Sequence, residues 1–184
     1  MNGILGHGPK VQNQLTGEEA GSKINPIHPS SRQGLKGHRV DFSVEPLSIP
    51  EIKLLLSAYH AETGDGDPLN PDFEMYGAGE STGLTRFIAA REKGVLTGFA
   101  IFLVNANHHS GAFRAVHDVL FLLPQYRGFW SGKFLQYCAD YLQMVGCEYV
   151  DWNANPVNAF GRLLHKRGAH KVSEVYRQPL KKGA

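Results

Sequence analysis

Residues 117–146 read HDVLFLLPQYRGFWSGKFLQYCADYLQMVG, and this stretch decides the fold. Val119 to Leu123 is a short apolar run, the mark of a buried strand. Pro124 closes it, because proline has no N–H to give to a sheet ladder. A turn through Gln125–Trp130 follows, and Ser131 stands where a helix N-cap belongs. Phe134, Leu135, Cys138, Tyr141, Leu142 and Val145 then recur at three- and four-residue spacing, the apolar face of a helix that Gly146 stops. The unit is strand, glycine-bearing loop, helix N-terminus. Unpaired N–H groups and the positive end of the helix dipole point out over such a loop, so its natural occupant is an anion. An ordinary strand–helix unit with a charged turn has the same spacing.

Upstream, Val40, Phe42 and Val44 alternate with polar residues and predict a strand ending near Pro46. Ser48 caps a helix with Pro50 in its first turn and Ile52, Leu55, Leu56 and Tyr59 on its apolar face. Residues 63–83 are rich in acids and glycines and read as a loop, with at most a helical turn around Phe73–Tyr76. Thr85–Arg91 and Val95–Asn105 are strands joined by a hairpin turn at Glu92-Lys93-Gly94. Another strand begins near Phe113 and runs into the opening stretch. Downstream, Tyr149–Trp152 reads as a strand, Asn158–Lys166 as a short helix stopped by Gly168, and His170–Gln178 as a last strand. The strands flanking the 131–145 helix should be parallel neighbours in one mixed sheet.

Composition narrows the class. The 184 residues suit one domain of 38–184 preceded by a tail of 1–37. A formal charge of +2 with no Lys/Arg stripe gives no case for nucleic acid. No apolar stretch is long enough to span a membrane and the N-terminus has no signal-peptide core, so the expectation is a soluble, cytoplasmic protein. Cys138 and Cys147 read as small buried residues in a reducing compartment. The nine histidines form no metal set; His108-His109 has no Cys or carboxylate near it to complete one. Residues 1–37 are broken by Gly3, Gly6, Gly8, Pro9, Gly17, Gly21, Pro26, Pro29, Gly34 and Gly37, and their apolar residues are too scattered for a core. They read either as a floppy tail or as an arm that orders on a partner.

Arg127-Gly128 and Gly132, after a strand ending in Leu-Pro, resemble the acyl-CoA pyrophosphate loop of the GNAT superfamily of N-acetyltransferases. The element order over about 38–180 is similar too, and DVLFLLPQYRG with a terminal VYRQPL resembles GNAT-like proteins of tailed bacteriophages. The resemblance implies an α/β (α+β) fold, a mixed and mostly antiparallel sheet flanked by helices, with an extended N-terminal arm. It implies acetyl-CoA as acyl donor and direct transfer to a small-molecule or protein amine. Pantetheine would bond backbone groups around Leu120 and Leu122. The pyrophosphate would meet the N–H groups of Arg127, Gly128, Phe129, Trp130, Ser131, Gly132 and Lys133, while Asn155 and Asn158 are candidates for further pantetheine contacts. Asp118 falls where relatives place a strand carboxylate and is the candidate base, with His117 turned to the opposite face. The chain departs from the pattern in the loop and in the following helix, where Val157, Phe160 and Ala169 also stand in place of the motif's Asn, Ala and Phe. Trp130 takes the place of the loop's central glycine, and Leu164 takes that of the helix tyrosine that protonates the leaving thiolate. A second reading is therefore a non-catalytic GNAT-fold adaptor, docking to a partner or a virion assembly through residues 1–37; a phage-encoded chain would work in the host cytoplasm or the virion.

Overall fold

The computed structural model describes residues 39–63, 68–155, 159–174 and 178. Five strands form one sheet in chain order: β1 (Asp41–Val44), β2 (Thr85–Glu92), β3 (Val95–Ala106), β4 (Phe113–Leu122) and β5 (Tyr149–Asp151). The first three pairings are antiparallel and β4–β5 is parallel, joined through helix α3 (Phe129–Met144). The β2–β3 hairpin closes in two residues, Lys93 and Gly94, both at positive φ, a geometry that follows the sheet's right-handed twist.

Helices cover both faces. On one, Phe134, Leu135, Cys138 and Leu142 of α3 are buried, and Phe134, Cys138 and Leu142 pack with Ile88, Ala90, Ala100 and Phe102. On the other, helix α1 (Ile49–Thr63) sets Ile52, Leu55 and Leu56 against Phe87, Phe99, Ile101, Val119 and Phe121. Helix α1 begins after Ser48, whose carbonyl accepts from Ile52 N–H while Glu51 bonds its side chain.

Three sequence expectations are corrected. Residues 73–81 form a full helix, α2 (Phe73–Ser81), in place of a loop with one turn. Asp72 caps it by accepting from Met75 N–H, and Gly79 is required because a Cβ there would lie 2.1 Å from Thr85 Oγ1. Helix α3 starts two residues before Ser131: a 3-10 turn at Pro124–Tyr126 leads to Gly128, whose φ of 77° turns the chain straight into the helix. Ser131 lies inside the first turn and is no cap. Finally, the sheet has no strand at 170–174, where Val172 is 73% exposed and buries little against anything. Residues 175–177 and the arm, 1–37, lie outside the described residues.

Candidate functional site

Strand β4 is the centre of the site. Ile101 of β3 faces Val119 while Phe102 faces His117, so Asp118 is an extra residue, a β-bulge. A bulge breaks the alternation of the strand and re-aims the side chain it carries. Asp118 is half-buried and points to the α1–α2 face, where it accepts a short hydrogen bond from Tyr76 Oη of α2. Burial, reinforced by that bond, raises the Tyr76 hydroxyl well above its ordinary pKa, so it stays a proton donor. Tyr59 of α1 is raised as well, first by burial and also by the Asp118 charge. Leu56, Tyr59 and Tyr76, with Phe73, Ile101 and Val119, line a cavity of about 270 Å³ between α1, α2 and the sheet.

His117 lies on the other face, 6% exposed, among the rings of Phe102, Trp152 and Phe160. Burial holds its pKa down to about 4 against a weaker upward pull from the Asn153 backbone, and neither ring nitrogen has a well-formed hydrogen bond among the described residues. It is a neutral wedge under helix α4 (Phe160–Lys166), with Asn153 Nδ2 donating to its carbonyl.

The outer edge of β4 opens past the bulge. Strand β5 pairs with β4 only at Arg114, Ala115 and Val116, although β4 continues to Leu122. Leu123 N–H donates to Thr97 O on β3, so strand alternation turns the N–H and C=O of Leu120 and Leu122 to this unpaired edge. Just beyond lies the N-terminus of α3. Arg127 N–H is spent on Pro124 O and Gly132 N–H donates to Gly128 O. The expected donor run from Arg127 to Lys133 therefore narrows to Gly128, Phe129, Trp130 and Ser131, because later N–H groups bond within the helix. Gly132 is surrounded by open space, since a Cβ built there meets nothing within 4 Å.

Trp130 is turned away from this mouth. Its ring packs edge-on to Phe42 of β1, at the opposite border of the sheet, with centroids 6.2 Å apart. There it walls a groove shared with Lys133, Tyr137 and Asp140. Lys133 Nζ sits 4.7 Å above the Phe129 ring. Arg127 instead lies over the α1 face: its Nε donates to Leu122 O at 2.7 Å and its Nη2 to Glu62 at 2.7 and 2.8 Å. Leu164 is buried in α4, which carries no hydroxyl or thiol in its sequence FGRLLHK. Asn155 is exposed, and Asn158 lies outside the described residues. The acyl-CoA donor therefore fits in part: an open strand edge and a free helix N-terminus are present, one edge carbonyl is bonded by Arg127, and the expected thiolate donor is missing.

Several solved structures share this arrangement. A ribosomal-protein-alanine N-acetyltransferase from Brucella melitensis biovar Abortus 2308 superposes with a TM-score of 0.62 at 23% identity, over 80% of this chain and all of that one. The chain shares its fold with this N-acetyltransferase. An aminoglycoside acetyltransferase from an uncultured soil metagenomic sample gives 0.62 at 15% identity, over 78% of this chain and 97% of that one. Glucosamine-6-phosphate N-acetyltransferase from Arabidopsis thaliana gives 0.57 at 14%, over 77% and 99%. No protein-family model and no curated protein sequence matches the chain. At these identities the likeness is one of fold, which sites of different chemistry share.

Among the described residues, no helix is long and apolar enough to cross a membrane and no three metal-ligating side chains come together. Tyr76 is the site residue that sequence reasoning missed. It lies 42 positions from Asp118, in a segment read as loop, and the one available signal was Asp72 three residues before a backbone N–H that needed a cap.

Proposed function

We propose that this chain is an N-acetyltransferase that takes an acetyl group from acetyl-CoA and passes it directly to an amine. The observation that carries the reading is the edge of β4 from Asp118 to Leu122, which has no paired strand among the described residues and ends at the N-terminus of α3. Leu120 and Leu122 would hold the pantetheine amides by their main chain, and the N–H groups of Gly128 to Ser131 would face the pyrophosphate. When bound, acetyl-CoA supplies an acyl thioester whose C–S bond breaks as the C–N bond forms. Asp118 takes the proton that the ammonium must shed, directly or through one water. Tyr76 Oη holds the Asp118 carboxylate in place, and with Leu164 on α4 the thiolate is left to take its proton from water.

The test is calorimetric titration of the full chain with acetyl-CoA. Binding in the micromolar range, about −8 kcal/mol, is expected, and Trp130→Gly should alter it little because the ring faces Phe42. No binding by the wild type at millimolar ligand would overturn the reading.

Arg127 on Leu122 O and Leu164 on α4 favour the second reading, an adaptor that has kept the fold without the chemistry. Such a protein would dock to its partner, a virion component among the candidates, through residues 1–37. It would be left standing by a null titration together with loss of partner binding on removal of those residues.

A further inference from the structure

The cavity between α1, α2 and the sheet has a chemistry that selects among amines. Its walls are largely hydrocarbon and ring, Ile52, Leu56, Phe73, Ile101 and Val119 among them. None of the described lining residues is Lys, Arg, Asp or Glu, and the polar atoms are confined to Tyr59, Tyr76, His60 and Asn70. A phosphate brought here would find no lysine or arginine among the described lining residues to balance it. A sugar would have to leave many of its hydroxyls against apolar walls without partners, which is costly. An apolar body loses nothing of the kind and gains by leaving water.

Among the described residues, the one anionic group that reaches the cavity does so at one end, while Lys53 Nζ lies over the Phe73 ring at 5.1 Å. Asp118 is not a wall residue; its carboxylate reaches the cavity through the hydroxyl of Tyr76, and its charge is felt at Tyr59. A cation drawn to that end would also meet two tyrosine rings, whose faces attract ammonium groups. The volume of about 270 Å³ is at the small end of ligand pockets, which run from about 300 to 1,000 Å³.

We infer that the cavity takes a primary amine carried on a small apolar body, with the ammonium at the Tyr76–Asp118 end and the body against Ile52, Leu56 and Phe73. That this amine is the acetyl acceptor rests on the proposed transferase function; that it binds does not. Polyols, sugar phosphates and long polyamines are poor fits by the same account.

The experiment uses the full chain and three probes: phenethylamine, glucosamine 6-phosphate and spermidine. Binding of each is followed by saturation-transfer NMR without any acyl donor, and acetylated product is followed by mass spectrometry with acetyl-CoA present. Phenethylamine should bind saturably and be turned over with a kcat/KM at least about tenfold above the other two, the discrimination expected when a competitor must bury unpaired polar groups. Leu56→Phe, which fills the cavity with apolar volume, should raise the KM for phenethylamine. If that variant fails to fold, the ranking of the three probes on the wild type still decides. Saturable phenethylamine binding in a chain that ignores acetyl-CoA would uphold the cavity and sink the transferase. Acetyl-CoA binding with no phenethylamine binding, or equal or better use of either polar probe, would overturn the inference.

Discussion

Acid should loosen this protein through His117, and the size of the effect follows from its surroundings. The ring is 6% exposed, 5.6 Å from the Trp152 ring and 5.8 Å from that of Phe160, with no well-formed hydrogen bond to either nitrogen among the described residues. Burial lowers its pKa from 6.5 to about 4, whereas in the unfolded chain it keeps its ordinary value. The unfolded state therefore binds more protons between these limits. The stability of the neutral wedge is complete above about pH 6.5, falls as the pH drops toward 4, and levels off below that. Between pH 7 and pH 5 the loss comes to about 2 kcal/mol, a large share of the 5–15 kcal/mol typical of a domain. Urea unfolding followed by circular dichroism at the two pH values, on the wild type and on His117→Leu, measures it. Leucine keeps the main chain that Asn153 holds and removes two unsatisfied nitrogens, so the variant should be at least as stable at pH 7. Subtracting its profile removes every other titration. Glu45 and Glu51, both held below the usual carboxylate range by Arg91, enter only at lower pH. Equal slopes for the two proteins between pH 7 and 5 would refute the reasoning.

Two further outcomes are expected around β4. Gly98→Ala should destabilise by about 1–3 kcal/mol in urea unfolding, because its Cβ would sit 2.5 Å from Phe121 O and 3.0 Å from Leu122 Cα, both backbone atoms of the neighbouring strand; a change too small to measure would mean that β3 and β4 can part there freely. Arg127→Ala should cost less than about 1 kcal/mol of stability, since it and Glu62 are each 39% exposed, and should leave acetyl-CoA binding intact or tighter by freeing Leu122 O. Weaker acetyl-CoA binding in that variant would place the guanidinium on the ligand instead.

Elements whose cause is local were legible from residues alone. The α3 face, the Lys93-Gly94 hairpin and the apolar run of β4 each carry their signal within a few positions, and the parallel β4–β5 pairing follows from the crossover they imply. Helix α2 was not legible, because Gly77 and Gly79 argue against a helix and the reason for Gly79 is Thr85 on another strand. The start of α3 depends on one dihedral angle, the positive φ of Gly128, which residue type permits without requiring. In the site, Asp118 was picked out by the resemblance, as the residue where relatives place a strand carboxylate. The bulge that aims it and the tyrosine that holds it are both products of pairing across the fold.

Three departures from the acyltransferase pattern bear on this site, and they differ in weight. Trp130 is resolved by direction: a ring packed on Phe42 obstructs nothing at the far edge of the sheet. The Arg127 bond to Leu122 O is reversible. It belongs to a side chain 39% exposed to water, and exchanging such a contact costs about 1 kcal/mol, little against the roughly −8 kcal/mol of a micromolar ligand. Leu164 is different in kind, because no rotation of a leucine supplies a proton. Tyr76 does not replace it, since its hydroxyl is already donated to Asp118 and lies on the α1–α2 face, while Leu164 is in α4 beyond the opposite one. A transferase built this way has a positioned base and no positioned acid. Its rate would then depend on the acidity of the thiol itself, which is low enough for water to finish the transfer. On the proposed transferase reading the Tyr76–Asp118 pair would bear most of the chemistry, and Tyr76→Phe should lower kcat far more than it disturbs acetyl-CoA binding.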